Sequence, residues 1–303
     1  MRPTTPLTAI LLLAPFGCGG GALRPSLDDT TTPVPIDMGS GPGTPSTYKG
    51  LPLALVDDGA PDVTAVDGII GLVCIGMSNG NQECADFQSR VEGEYAADVR
   101  PEVRIVTCAV GGHAIERWID PAYDANLWQR CIDLQLPARG VRTDQVRVVW
   151  HKAANQFTTL AGGGAKPPYP ATGSDYEAFL TNLPLFAARV RTWFPAVQAV
   201  YTSSRSYGGF ANSAARGEPL SYEEGHALNS WLAATDGVDG VWYGWGAYIW
   251  APACTSGETN GSGICYDRAD YVTDGVHPSA SGRAKVSAML HTHFLRESWY
   301  RLP

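Results

Sequence analysis

Charged residues are scarce in this sequence, and basic residues never form a run. Asp, Glu, Lys and Arg make up 17% of the 303 residues, and 22 basic against 30 acidic side chains give a net charge of −8. Such a chain is a poor ligand for nucleic acid, because phosphate binding needs clustered Lys and Arg. With 44% hydrophobic and 10% aromatic residues the chain as a whole is not disordered. Its length suits one large domain or two small ones.

The N-terminal apolar stretch is too short to cross a membrane. It runs over about ten residues, 7–16, whereas a spanning helix needs roughly 20. Arg2 before it and Gly17-Cys18 after it are typical of an export signal, and the Gly-Cys pair resembles a bacterial lipobox. We therefore expect a signal peptide over 1–18, a lipid on Cys18 and, from Gly19, sorting to the outer membrane, with exposure to the periplasm or the cell surface. An ordinary signal peptide with an incidental Cys is the alternative.

Residues 19–50 are rich in Gly, Pro, Thr and Ser and predict a flexible tether before a single domain over 51–303. The sequence contains no Cys-x-x-Cys and no His/Cys cluster with zinc spacing, so we expect no metal site. Six cysteines remain besides Cys18, an even number that allows up to three disulfides in an exported chain, with 15 possible connectivities. Cys254 and Cys265 are the best-supported pair, because they flank a loop rich in Gly, Ser and Asn.

Five short apolar runs predict buried strands. They are rich in β-branched residues and nearly continuous rather than alternating, as in strands covered on both faces; they are Ile69–Ile75, Val103–Val110, Val146–Trp150, Ala196–Thr202 and Val238–Tyr243. Two further sets of residues have the spacing of an apolar helix face. The first lies between predicted strands and comprises Phe179, Leu183, Ala187 and Val190, and we expect Pro184 to kink or offset that helix. The second lies near the C-terminus and comprises Val286, Met289, Leu290, His293 and Phe294. Alternating strands and helices predict an α/β fold with a parallel sheet, whose ligands bind beyond the carboxyl ends of the strands.

The segments after the first two predicted strands carry small residues suited to catalysis. Ser78 lies between Gly76 and Gly80 in Gly-Met-Ser-Asn-Gly, where a turn into a helix can expose the hydroxyl and direct backbone N–H groups at developing negative charge. This segment also matches Gly-x-Ser-x-Gly, the sequence pattern of the nucleophile elbow of α/β-hydrolases. After the second strand, paired glycines include Gly112, whose N–H can lie close to a substrate.

Two further segments supply polar groups. Asn155 follows the third strand, and its amide can donate to an oxyanion. Asp274 precedes His277 by three residues before the last helix, so the carboxylate can hold Nδ1 while Nε2 takes a proton from a serine. Glu223 is the rival acid for that histidine.

These four blocks, in this order, resemble the SGNH (GDSL-like) hydrolase superfamily, from the first strand to the last helix. The resemblance implies a flavodoxin-like three-layer α/β/α sandwich with a five-stranded parallel sheet, and a cofactor-independent serine esterase. Ser78, Asp274 and His277 match its catalytic residues, while Ser78, Gly112 and Asn155 match its oxyanion hole. The Gly-x-Ser-Asn form, with Gly-Gly-x-x-Ile-Glu-x-Trp, is most similar to the sialate O-acetylesterase-like, carbohydrate-esterase branch. The sequence departs from the family at two positions: Met77 replaces the Asp of Gly-Asp-Ser, and Ala153 replaces the Gly that usually stands two residues before the asparagine.

The substrate expected from this resemblance is an acetylated carbohydrate. Aromatic residues near the presumed site, Trp118, Trp245 and Tyr248, can stack on sugar faces or can simply pack in the core. His113 and His151 lie beside the presumed site and are further candidates for substrate contact. The alternatives are a tethered, non-catalytic glycan-binding protein on the same fold, and a lipase or thioesterase of the same superfamily. An α/β-hydrolase is disfavoured, because here the Ser follows the first strand and Asp and His are three residues apart.

Overall fold

Five parallel strands form the centre of the part of the chain that the structure describes. The computed structural model describes residues 61–303, apart from Asp236, Gly261 and the side chain of Tyr222. These residues belong to one compact unit. The predicted signal peptide, Cys18 and the tether over 19–50 lie outside the described residues.

The sheet has the strand order β2-β1-β3-β4-β5, with every neighbouring pair parallel. The strands are β1 Ile70–Gly76, β2 Val103–Thr107, β3 Val146–Lys152, β4 Ala199–Thr202 and β5 Trp242–Trp245. This flavodoxin-like order confirms the predicted fold class. The fifth strand begins later than predicted, because Val238 and Val241 pair across a tight turn whose central residues, Asp239 and Gly240, have positive φ.

Helices cover both faces of the sheet. They are α1 Ser78–Glu92, α2 Ile115–Ile119, α3 Leu127–Arg130, α4 Leu136–Ala138, α5 Asp175–Trp193, α6 Leu220–Ala234 and α7 Ala280–Phe294. Successive side chains of β1 alternate between the layers: Leu72 joins Phe87 of α1 and Leu290 of α7, whereas Val73 joins Phe179 of α5. Within the described residues, no helix is both long and apolar enough to span a bilayer.

The helix over Asp175–Trp193 continues through Pro184 and is not interrupted there. Pro184 is exposed, while the predicted apolar stripe that includes Leu183 and Ala187 is buried. The hydrogen bond that a proline cannot make is therefore missing on the solvent side of the helix, where water can replace it.

Three disulfides link elements around the sheet. Cys254–Cys265 is present as predicted, and the others are Cys74–Cys84, between β1 and α1, and Cys108–Cys131, between the segment after β2 and the chain after α3. The first of these two pairs encloses the turn that carries Ser78. Two of the three disulfides thus hold segments that follow the carboxyl ends of strands.

Mass mapping of the non-reduced protein is expected to recover these three pairs and no free thiol among the six cysteines. The Cys254–Cys265 link closes a short loop and should stabilise the fold by about 2–3 kcal/mol in the chain-entropy model. Unfolding of a Cys254→Ser/Cys265→Ser variant in urea measures that difference. Peptides that carry both cysteines as free thiols would contradict the pairing.

Candidate active site

Ser78, His277 and Asp274 lie in one hydrogen-bonded row at the carboxyl edge of the sheet. Ser78 is the first residue of α1, two residues after β1 ends, and its Oγ is 2.7 Å from Nε2 of His277. Nδ1 of the same ring is 2.5 Å from Oδ2 of Asp274. Because Nδ1–H donates to the carboxylate, Nε2 is left to accept the serine proton. This is the geometry of a Ser-His-Asp catalytic triad.

The turn before α7 holds the acid in place. Oδ1 of Asp274 accepts hydrogen bonds from the backbone N–H groups of Val276 (2.9 Å) and His277 (3.0 Å). Gly275 has φ +68°, and a Cβ there would be 1.8 Å from the carbonyl oxygen of Phe210, so only glycine fits. Burial raises the pKa of Asp274, but the His277 ring and these backbone donors outweigh it and lower the pKa to about 2. The carboxylate is therefore ionised wherever His277 can act as a base.

Gly76 allows β1 and β3 to approach closely just below the nucleophile. A Cβ at this position would be 2.0 Å from the carbonyl oxygen of Lys152. The carbonyl oxygen of Gly76 accepts a hydrogen bond from the N–H of Val110, which leads into the segment containing Gly112. The nucleophile block and the glycine block are thus joined through the backbone.

Two residues whose backbone N–H groups are the predicted oxyanion donors line the pocket. Ser78 is the first residue of α1, where the N–H groups lack intrahelical acceptors and the helix dipole is positive. Gly112 lines the same pocket as Ser78 and His277. Backbone donors at such positions stabilise a tetrahedral intermediate without reorganising.

Asn155 does not have the geometry expected of a side-chain oxyanion donor. It lines the pocket, but its Nδ2 donates to the backbone oxygen of Asp175 (2.9 Å) and to Oδ1 of the same residue (3.0 Å). Both amide hydrogens are thereby used within the protein. Its backbone N–H is held by Glu224 (2.7 Å), and the next N–H, of Gln156, by Glu116 (2.8 Å). The assignment of the Asn155 side chain to the oxyanion hole is therefore corrected: in this structure it fixes the loop after β3.

Asn155→Ala is expected to reduce stability more than catalysis, because it removes from buried Asp175 the shorter of its two side-chain donors. The expected loss is about 1–3 kcal/mol of unfolding free energy, with kcat reduced by less than about tenfold. Urea unfolding and ester turnover measure the two effects, with the same change at exposed Asn126 as the control. Loss of an oxyanion donor would instead cost about 10²–10³ in kcat at unchanged stability, and that result would restore the sequence-based role.

The three aromatic candidates for sugar stacking are all in the core. Trp118, Trp245 and Tyr248 are each less than 5% exposed, and none of them lines the pocket. Nε1–H of Trp118 donates to the carbonyl oxygens of His113 (3.2 Å) and Gly76 (3.4 Å), so this ring ties the glycine block to the nucleophile turn. The prediction that these rings bind substrate was wrong, because they pack inward from the segments that carry them.

The remaining candidate residues have structural partners. His151 is buried and stacks on Phe186 at 3.9 Å, and burial lowers its pKa to about 3. His113 is hydrogen-bonded to the Gly111 carbonyl oxygen (2.9 Å) and to Asp124 (3.2 Å) and does not line the pocket. Glu223, the rival acid for His277, accepts instead from the N–H of Tyr169 (3.1 Å).

The triad opens into a pocket of about 480 Å³ whose lining mixes polar side chains with the apolar Met77, Ala153, Ala154, Ala215, Leu220 and Val276. Besides Ser78 and His277, the lining includes Asn79, Gln156, Thr158, Ser213, Lys152, Arg205 and Arg216. Apart from Asn79, which belongs to the Gly-x-Ser-Asn form, none of these residues was singled out from the sequence. Arg205 stands three residues after β4, so reading the end of that strand by the rule applied to the others would have found it.

Lys152 and Glu83 form a fully buried ion pair below this pocket. Nζ lies 2.5 Å from both carboxylate oxygens. Burial lowers the pKa of Lys152 and raises that of Glu83, and each charge opposes the shift of the other. Because one end of the pair is on β3 and the other on α1, it fixes the nucleophile helix to the sheet. In the described part of the chain, no group of three His, Cys, Asp or Glu side chains is arranged to hold a metal ion.

Several solved structures are similar to this chain, at 10–16% identity. A protein from Slackia heliotrinireducens, provisionally assigned to the SGNH hydrolases, has 16% identity and a TM-score of 0.42, over 75% of this chain and 99% of its own. A lipase/acylhydrolase from Enterococcus faecalis has 11% identity and a TM-score of 0.45, over 75% and 96%. A GDSL-like lipase from Bacteroides thetaiotaomicron has 11% identity and a TM-score of 0.42, over 78% and 91%.

No protein-family model matches the chain, and a search of curated proteins gives no significant match. The similar structures are described as SGNH or GDSL-like hydrolases, lipases and acylhydrolases, and these three descriptions do not mention a sialate O-acetylesterase. At these TM-scores the function has to be argued from the site itself.

Proposed function

We propose that this protein is a serine esterase of the SGNH type that removes acetyl groups from carbohydrate. The observation that carries the proposal is the row Ser78–His277–Asp274, with distances of 2.7 and 2.5 Å, at a pocket next to the start of α1. A lone Ser-His contact is common, but a serine at a helix start with a base and an oriented acid is a nucleophile prepared for acyl transfer.

Each step can be assigned to a group in the chain. Nε2 of His277 takes the proton of Ser78 as Oγ attacks the ester carbonyl carbon, and the Asp274 carboxylate stabilises the resulting imidazolium. The N–H groups of Ser78 and Gly112 stabilise the oxyanion. His277 then protonates the leaving alcohol, which departs as the C–O bond breaks. Water, deprotonated by the same nitrogen, attacks the acyl-enzyme and releases acetate and free Ser78.

The pocket offers hydrogen-bonding groups to a hydroxylated alcohol. Amide, hydroxyl and guanidinium groups line it beside apolar residues such as Leu220 and Val276, and such polar groups fix the orientation of a ligand by hydrogen bonds. These polar groups support the carbohydrate proposal together with the motif resemblance, since the expected aromatic platform is buried.

We also propose that the chain is exported and anchored by a lipid on Cys18. Its three disulfides support an oxidising compartment, because such bonds are rare in a reducing cytosol. Metabolic labelling with a clickable palmitate should mark the wild type and leave a Cys18→Ala variant unmarked. Labelling of both would refute the anchor at this residue.

Turnover of 4-nitrophenyl acetate, labelling by a fluorophosphonate, and acetate release from a panel of acetylated glycans test the esterase proposal in increasing detail. Labelling at Ser78 with release of acetate is the expected result. Glycan binding without turnover or labelling would favour the non-catalytic alternative. Faster turnover of long-chain acyl esters or acyl thioesters than of acetates would favour a lipase or thioesterase.

A further inference from the structure

Arg205 brings a nearly buried positive charge into the pocket that contains the triad. It follows β4, the strand next to β3, and it lines the pocket together with Ser78 and His277. Only 10% of its side chain is exposed. Arginine is almost never buried to this extent without a partner, because moving the charge out of water is costly.

Among the residues that the structure describes, the guanidinium forms only a long ion pair, with Glu224, and no hydrogen bond. Its Nη1 is buried without an acceptor. The nearest carboxylate oxygen is Oε2 of Glu224, 4.0 Å from Nε, beyond hydrogen-bond distance. Lys152 in the same pocket shows the contrast, because both oxygens of Glu83 hold its Nζ at 2.5 Å.

Each of the two neighbouring acids has one oxygen engaged elsewhere and one, Oε2 of Glu224 and Oδ2 of Asp175, buried without a hydrogen bond. Oε1 of Glu224 accepts from the N–H of Asn155, and Oδ1 of Asp175 accepts from the side chains of Asn155 and Lys166. Burial raises the pKa of Glu224, and the nearby Asp175 raises it further, against the opposing charge of Arg205.

We propose that Arg205 binds a carboxylate of the substrate, so that the esterase selects acetylated sugars that carry an acid group, such as uronic acids. A planar guanidinium offers two parallel N–H donors that match the two oxygens of a carboxylate. Arg216, exposed at the same pocket, adds positive potential along the approach. The inference rests on the proposed esterase function and assigns its substrate class.

The test compares kcat/KM for an acetylated methyl glucuronoside and the equally acetylated methyl glucoside, which differ only in a carboxylate. The wild type should prefer the glucuronoside, and Arg205→Gln should reduce that preference by about 10- to 100-fold. Arg205→Lys, which keeps the charge but loses the paired donors, should fall between them. Arg142→Gln is the control, since that side chain is 54% exposed and does not line the pocket.

An unchanged preference in Arg205→Gln would overturn the inference. So would equal losses on both substrates, which would assign Arg205 to the chemistry at Ser78 or to the fold. Turnover of the neutral glucoside reports on the esterase proposal separately. If neither ester is hydrolysed, that proposal fails, and calorimetry of the Ser78→Ala protein with each glycoside still tests carboxylate binding.

The inference remains testable if Arg205→Gln does not fold. Deacetylated methyl glucuronoside should then inhibit wild-type turnover of 4-nitrophenyl acetate at least tenfold more strongly than methyl glucoside does. Added salt should weaken that difference, because a charge interaction in an open pocket is screened. Equal inhibition by the two glycosides would overturn the inference without any variant.

Discussion

Ser78→Ala is expected to reduce kcat for ester hydrolysis by about 10⁴-fold or more while the protein remains folded. The change removes the oxygen that lies 2.7 Å from Nε2 of His277 and leaves the backbone N–H that forms part of the proposed oxyanion hole. Residual turnover above the uncatalysed rate is expected from that hole and from substrate binding alone. Initial rates with 4-nitrophenyl acetate, together with circular dichroism, measure the effect.

Ser89 provides the matched control for this change. It lies on the exposed side of α1, so Ser89→Ala makes the same chemical change in the same helix away from the pocket. Its rate should stay within a factor of about two of the wild type, as for surface substitutions in general. Turnover by folded Ser78→Ala at near the wild-type rate would remove the nucleophile assignment, and fluorophosphonate labelling of that variant would point to another serine.

His277 and Asp274 are expected to act as one unit. His277→Ala removes the general base and should cost as much as Ser78→Ala. Asp274→Ala leaves the ring without its orienting acceptor at 2.5 Å and should cost about 10- to 100-fold less. The double variant should be scarcely slower than His277→Ala alone. A double-mutant cycle in kcat/KM measures the coupling, and losses that simply multiply would show that the two residues work independently.

The pH dependence of the rate follows from the same pair. The pKa of Asp274 is about 2, so its carboxylate stays ionised throughout assays in mild acid. Activity should therefore fall with acid as a single proton binds to His277, because imidazolium cannot accept the serine proton. A limiting slope of one in log kcat/KM against pH is expected on the acid side. A slope of two would require a second titrating group.

The sheet and the triad were predictable because their signals are local. Buried parallel strands are apolar on both faces, so runs such as Val146–Trp150 stand out without knowledge of their neighbours. Asp274 and His277 are three residues apart and form their contact through one tight turn. Ser78 could be predicted because functional residues of parallel sheets lie just after the carboxyl ends of the strands. The chain topology then places Ser78 next to His277.

The predicted roles that the structure contradicts depend on partners that are distant in the sequence. Nothing near Asn155 in the sequence shows that Asp175, twenty residues later, uses both hydrogens of its amide. Trp118 stands beside the glycine block, yet its ring turns inward to the carbonyl oxygen of Gly76. Arg205 belongs to no motif: its place three residues after β4 could have been noticed in the sequence, but its burial beside the pocket appears only in the structure. Apart from the triad contacts and the Cys254–Cys265 bond, the sequence pattern therefore predicted which segments meet and not how their side chains pair.

The disulfide between Cys74 and Cys84 has a consequence for how the protein matures. The bond joins the end of β1 to α1, so it closes a loop that contains Ser78. A newly translated chain lacks this cross-link until the two thiols are oxidised. Oxidation of the two thiols after synthesis therefore ties the start of α1 to β1, and only in the oxidised chain is the position of Ser78 relative to the sheet fixed by a covalent bond as well as by packing.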